Sequence, residues 1–196
     1  MEKGQKKKGG CLKVVLIVIG VFIVIGVIGS MFGKDDDKVK DVTNTKADTS
    51  DTQKPDAEET PEKTEFKVGE TAEQKDIQIT LVNVTESAGS EYVTPDDGNV
   101  FLLLEFEIAN NSSKDIAISS IASFEAYCDD YSLNQDILGL QAPEINGKGQ
   151  LDGSVAAGKK MNGVIAYQVP AGYKNFEISV TPDFWSTKDI KFIISK

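Results

Sequence analysis

Carboxylates are the most abundant side chains in this sequence with chemistry to offer. Glu105 and Glu107 stand two apart in NVFLLLEFEIAN, Asp96-Asp97 and Asp129-Asp130 are adjacent pairs, and Asp152 sits at a further turn. Two carboxyls can hydrolyse a glycoside when one holds a proton and the other stays charged across the scissile bond. Two on the same face of one strand are poorly placed for that work, because alternation sends both into solvent. Calcium needs about six to eight converging oxygens. The loop PDDGN (95–99) lacks the spaced carboxylates and closing glutamate of a helix–loop–helix calcium site, so the acidic pairs read as solvated turn residues and no metal is expected.

The missing residues narrow the chemistry further. The chain has 196 residues, no histidine and a net charge of −10, and every one of its 21 basic residues is lysine. Catalysis by Ser-His-Asp or Cys-His is excluded, and the commonest metal ligand is absent. Arginine is the preferred reader of phosphates and base edges, so an acidic, arginine-free chain predicts no nucleic-acid partner. Cys128 has neither His nor Arg to lower its pKa and reads as a small buried hydrophobe. No cofactor or enzymatic activity is expected. The side chains best suited to holding a ligand are aromatic: Phe184 and Trp185 in TPDFWSTKD, with Tyr92, Tyr131 and Tyr173 near other turns. An exposed Trp or Tyr offers an apolar face and a polar tip to a sugar or a protein, although a lone Trp in a small β domain more often fills the core.

The elements that must position these residues are strands. Ile79 to Thr85, Asn99 to Asn110, Ser123 to Cys128, Gly163 to Val169, Phe176 to Val180 and Ile190 to Ser195 alternate apolar and polar residues or are rich in β-branched ones. In the second of these, Leu102, Leu104, Phe106 and Ile108 face inward, and Leu103, Glu105 and Glu107 face out. Turn clusters separate the strands, among them NNSSKD, AAGKK and VPAGY. About seven short strands in residues 65–196 predict an all-β antiparallel sandwich. The stretch 129–140 is less regular and predicts a helical turn or a long crossover. Asn110 to Ser113 predicts a turn in which Asn accepts a left-handed backbone, and Gly158 suits a hairpin position after Ala157.

The remainder of the chain predicts location. Residues 1–11 form a basic tail, and residues 12–33 are an apolar run long enough for the roughly 20 residues a membrane helix needs. The run is too long for a secretory h-region, no small-x-small cleavage site follows it, and Cys11 precedes it, which rules out the lipoprotein arrangement. Lys3, Lys6, Lys7, Lys8 and Lys13 flank one side and Asp35, Asp36 and Asp37 the other. The lysine-rich side stays cytoplasmic. The expectation is a single-pass plasma-membrane protein with an extracellular C-terminal domain, its lipid partner held through residues 12–33. Gly29 and Gly33 give a G-x-x-x-G along which two helices can approach closely. Residues 34–64, rich in Asp, Glu, Lys and Thr, predict a disordered linker.

The segments GNVFLLLEFEIANNSSKDIAIS, DGSVAAGKKMNGVIAYQVP and PDFWSTKDIKF resemble a bacterial family of extracytoplasmic domains of unknown function. The resemblance covers about residues 66–196. It implies the immunoglobulin-like sandwich of the secreted mycobacterial immunoprotective antigen, membrane attachment in Gram-positive bacteria, and no agreed activity. Together these readings predict a membrane-anchored, non-enzymatic binding module for a surface protein or glycan. The alternative is an accessory subunit of a membrane complex assembled through the anchor helix.

Overall fold

The structure, a computed structural model, describes residues 38–43, 63–181 and 190–196. The apolar run 12–33, with Gly29 and Gly33, lies outside the described residues, as do Phe184 and Trp185. Among the described residues no helix is long and apolar enough to cross a membrane.

Two five-stranded sheets face each other. The first holds β1 (Lys40–Asp41), β3 (Thr71–Gln74), β4 (Ile77–Ser87), β5 (Asn99–Asn110) and β10 (Lys159–Pro170), in that order. The second runs β2 (Glu65–Phe66), β12 (Ile190–Ser195), β11 (Asn175–Val180), β7 (Phe124–Cys128) and β8 (Tyr131–Leu133). Every pairing in them is antiparallel except β2 with β12. A two-stranded ribbon of β6 (Ile116–Ile118) and β9 (Gly153–Val155) completes the strands. The predicted antiparallel sandwich is therefore present, with more and shorter strands than alternation alone reveals.

Its core is the layer between the two sheets. Leu102, Leu104, Phe106 and Ile108 from β5 meet Phe124, Ala126, Phe176, Ile178 and Phe192 from the second sheet, all buried. Phe106 centres the layer, its ring 5.3 Å from Phe124 and 5.8 Å from Phe192. Burying side chains of this size contributes about 1.5–3 kcal/mol each, so the layer dominates folding. Cys128 belongs to it as a free, buried thiol, pushed up from its usual pKa by burial and then by the charge of Asp129.

Several local expectations change. The acidic segment expected to be disordered contains β1, paired to β3 with Lys40 opposite Glu73, and Val39 is buried in the core beside it. Lys63 Nζ lies 2.6 Å from Asp41 and 2.8 Å from Glu70, and sits 5.0 Å from the Phe66 ring centre. These contacts tie β1 to the start of the domain, so the expectation for residues 34–64 does not hold at 38–43. The outward face of β5 is also less polar than predicted, because Leu103 and Phe101 are buried beneath a further layer. Stretch 129–140 holds β8 and the beginning of a 3₁₀ turn over Ile137–Gln141.

The NNSSKD turn works through a side chain, with no left-handed asparagine in it. Asn110 is fully buried. Its Nδ2 donates to the carbonyls of Lys114 at 2.7 Å and Val155 at 2.8 Å, and its Oδ1 accepts from Ser112 N and Oγ. One carboxamide thus closes the β5–β6 loop and holds it to β9. Gly158 takes the left-handed conformation, with φ +70°, and its N–H donates to Asn110 O at 2.7 Å.

Replacing Asn110 by Ala leaves the buried Val155 carbonyl and the part-buried Lys114 carbonyl without their donor. Asn110→Ala should lower unfolding free energy by about 2–4 kcal/mol, read from urea midpoints at unchanged slope. The β1 clasp predicts a pH effect. Hydrogen bonds from Lys63 and then Thr43 hold the Asp41 carboxyl down at about 2, and Lys63 with the Lys67 amide lowers Glu70. Depressed carboxyls add stability that is present above their unfolded pKa, near about 4, and is lost as pH falls toward about 2. The stability gap between the native chain and Lys63→Gln should therefore shrink as the pH is taken from about 5 to about 2. A gap that stays constant contradicts the clasp.

Candidate functional site

The outer face of the first sheet changes character along β5. Its first half is apolar and covered. Phe101 and Leu103 of β5, with Val164 and Ala166 of β10, lie under Leu140, Ala142 and Ile145. The cover is two short 3₁₀ turns, Ile137–Gln141 and Pro143–Ile145. Asp136 caps the first, its carboxylate accepting from Leu138 N at 3.0 Å, and Pro143 starts the second, where its missing N–H costs nothing. Gly139 lets the cover approach: a Cβ there would lie 2.8 Å from Ala166 Cβ and 3.2 Å from the Phe101 ring. The cover is tied to the edge of β10 by Asp136 N to Ala166 O at 2.8 Å and Val164 N to Gly149 O at 2.9 Å.

Where the cover ends, a recess of about 230 Å³ opens, lined by Asn83, Thr85, Leu103, Glu105, Glu144, Ile145, Asn146, Lys148 and Val164. A register shift in β4 between Leu81 and Asn83 sets its far wall, placing Asn83 opposite Glu105 and Thr85 opposite Leu103. Bulges of this kind re-aim side chains. Asn146, with φ +53°, reverses the chain so that Lys148 comes back to the sheet, its Nζ 2.7 Å from Glu105 Oε2. Glu144 accepts from the Ser87 hydroxyl at 2.6 Å, and Asn83 Nδ2 donates to Thr85 Oγ1 at 3.2 Å. The floor of Leu103, Ile145 and Val164 is apolar. The rim offers two carboxylates, two carboxamides, a hydroxyl and an ammonium, the makeup of a site for a small hydroxyl-rich or amide-rich group.

The residues singled out from sequence do not assemble there, apart from Glu105. Glu105 and Glu107 share the outer face as expected, but each is paired with a lysine, Glu107 with Lys160 at 2.8 Å. Tyr92 and Tyr131 are strongly exposed, at 88% and 78%, and belong to different sheets' connections: Tyr92 to the β4–β5 loop, Tyr131 to β8. Tyr173 is not a surface residue. It is 3% exposed, Lys196 Nζ sits 4.5 Å from its ring centre, and burial followed by the nearby Glu86 pushes its phenol up to about 12.

The acidic pairs act as turn residues. Asp129 and Asp130 form the two-residue β7–β8 turn with φ +46° and +70°, and Asp129 accepts from Lys174 N and Asn175 N. Asp96 exchanges two hydrogen bonds with the Gln168 amide, and Asp152 accepts from Ser120 N and Oγ. Among the described residues no three metal-ligating side chains come together. Asn83, Glu144, Asn146 and Lys148 had no sequence pattern to mark them. They meet only because of the β4 shift and the returning loop.

Solved structures to which the chain is similar include three bacterial proteins. A Bacillus subtilis protein, ycdA, classed provisionally as a lipoprotein, is 20% identical with a TM-score of 0.49, over 61% of this chain and 36% of that one. This chain thus spans about a third of that protein's length. The yjhA protein of Bacillus subtilis is 22% identical with a TM-score of 0.48, over 66% of this chain and 97% of that one. An uncharacterized β-sandwich protein of Clostridium difficile is 17% identical with a TM-score of 0.44, over 72% and 99%. No curated protein matches the chain. A family model does match, across residues 66–190, from the end of β2 to the start of β12. The chain belongs to the family described as Domain of unknown function (DUF4352).

Proposed function

We propose that this protein is a membrane-anchored extracytoplasmic binding module, its sandwich of the immunoglobulin-like type of the mycobacterial antigen, and that the recess on the outer face of the first sheet is its ligand-contact surface. The observation that carries the reading is the recess itself: a polar rim over an apolar floor, built from four separate stretches of chain. Its groups suit a glycan unit. Asn83, Asn146 and Lys148 donate, Glu105 and Glu144 accept, and the apolar floor takes the less polar face of a sugar ring. Residues 12–33 supply the anchor, with the N-terminus cytoplasmic and the sandwich outside. The domain acts by holding a ligand at the cell surface, without catalysis.

The test is calorimetric titration of the full-length protein in detergent with soluble glycan fragments of the bacterial wall. Binding should weaken about tenfold or more, equivalent to about 1.4 kcal/mol, in both Asn83→Ala and Glu144→Gln. Fold integrity of each variant is checked by its urea midpoint. Binding that ignores both substitutions places the ligand elsewhere. No binding by the native chain rejects the glycan.

A further inference from the structure

The sequence holds two Asn-Gly pairs, Asn146-Gly147 and Asn162-Gly163. Asparagine before glycine is prone to cyclise on itself, because glycine has no Cβ to hinder its main-chain nitrogen from reaching the carboxamide carbon. In that step the glycine nitrogen bonds to the asparagine Cγ. The carboxamide nitrogen leaves as ammonia and takes the amide proton with it. The five-membered imide so formed adds water at one of its two carbonyls and opens to aspartate or isoaspartate. Water is the only co-reactant. Asparagine counts among the thermolabile residues.

The fold treats the two pairs oppositely. Asn162-Gly163 lies inside β10. Val164 turns its N–H to Gly149 O at 2.9 Å and its carbonyl to Leu151 N at 3.3 Å, away from β5. Main-chain groups alternate in direction along a strand, so Gly163 turns its own toward Phe106, its partner in the ladder. Gly163 is also buried, and a Cβ there would lie 2.8 Å from Leu151 Cα. Its nitrogen cannot reach Asn162 without leaving the sheet. Asn146-Gly147 follows the second 3₁₀ turn, and both residues are exposed. Their φ angles are +53° and +77°, and a Cβ on Gly147 would meet nothing within 4 Å. Among the described residues the Gly147 N–H has no acceptor. The Asn146 carboxamide is held by its Nδ2 bond to Glu144 O at 3.1 Å.

We propose that Asn146 deamidates spontaneously in the folded protein and that its conversion weakens the recess as a ligand site. The recess lining carries Glu105, Glu144 and Lys148 as its charged groups. A carboxylate at position 146 sets three acids around one ammonium and removes a carboxamide donor. Isoaspartate goes further, because the main chain then runs through the former side chain. That inserts a methylene just before Lys148, whose Nζ must reach Glu105 Oε2 at 2.7 Å. The effect on binding rests on the ligand reading above, and the modification does not.

The test ages the full-length protein in detergent at mildly alkaline pH. Peptide mass spectrometry follows the exchange of amide for acid at each site, and electron-transfer fragmentation separates aspartate from isoaspartate. In the folded chain Asn146 should convert at least about tenfold faster than Asn162, whose reaction needs the sheet to open. In urea the two rates should come together. Asn146→Gln should abolish the fast conversion and leave Asn162 as it was. Equal rates in the folded chain, or faster conversion at Asn162, overturn the proposal. So does a gap that persists in urea, which assigns it to neighbouring side chains instead of the fold. The converted form, separated by ion exchange, is then titrated with the same soluble wall-glycan fragments. Its affinity should fall about tenfold or more, and an unchanged affinity overturns the effect on the recess. In the isoaspartate form the Lys148 amide, which donates to Ile145 O at 3.1 Å, should lose hydrogen-exchange protection whether or not a glycan binds. Fast conversion with that loss, in a chain whose fresh form binds no glycan, rejects the ligand reading and still supports the modification.

Discussion

The structure depends on one strand being buried on both faces for half its length and on one face for the remainder. In β5 the inward residues Leu102, Leu104, Phe106 and Ile108 fill the sandwich core. The outward residues begin apolar with Phe101 and Leu103 and then become Glu105 and Glu107. The apolar half requires a cover, since leaving Phe and Leu in water would forgo a stabilisation of about 1.5–3 kcal/mol each. The 3₁₀ turns supply that cover. The acidic half cannot be covered without desolvating carboxylates, so the cover stops there. The recess is the boundary between these two demands, and its polar rim follows from where the boundary falls.

The same strand organises the two ends. Its last residue, Asn110, uses a buried carboxamide to gather the β5–β6 loop and β9. That brings Lys114 and Lys159 to the end where β1 enters. Its first residues adjoin the loop with Asp96 and Asp97, fastened through Gln168 of β10.

Much of this was legible in the sequence, for a physical reason. Asn99–Asn110 and Ile190–Ser195 match the observed β5 and β12, because one buried face forces alternation over many residues. β1 was not legible. It is two charged residues, Lys40 and Asp41, with only Val39 to bury, and it holds through backbone pairing and the Lys63 clasp. The cover was illegible for a related reason: Leu140, Ala142 and Ile145 follow neither helical nor strand period. Tyr173 read as a loop aromatic because Pro170 and Gly172 mark a turn, yet its ring is buried beside Lys196. The recess was hidden most deeply, since Lys148 and Glu105 are 43 residues apart.

The central claim is that the apolar outer half of β5 holds the cover in place, and with it the wall of the recess. Hydrogen exchange in Leu103→Asn tests it most directly. The amides of Asp136, Leu151 and Val164 bond across to Ala166, Val164 and Gly149, linking cover to sheet. Their exchange should accelerate at least about tenfold through local opening, while amides of the β11–β12 ladder keep their protection. Unchanged exchange at those three amides, or equal acceleration across both sheets, would show that the cover does not depend on this face of β5.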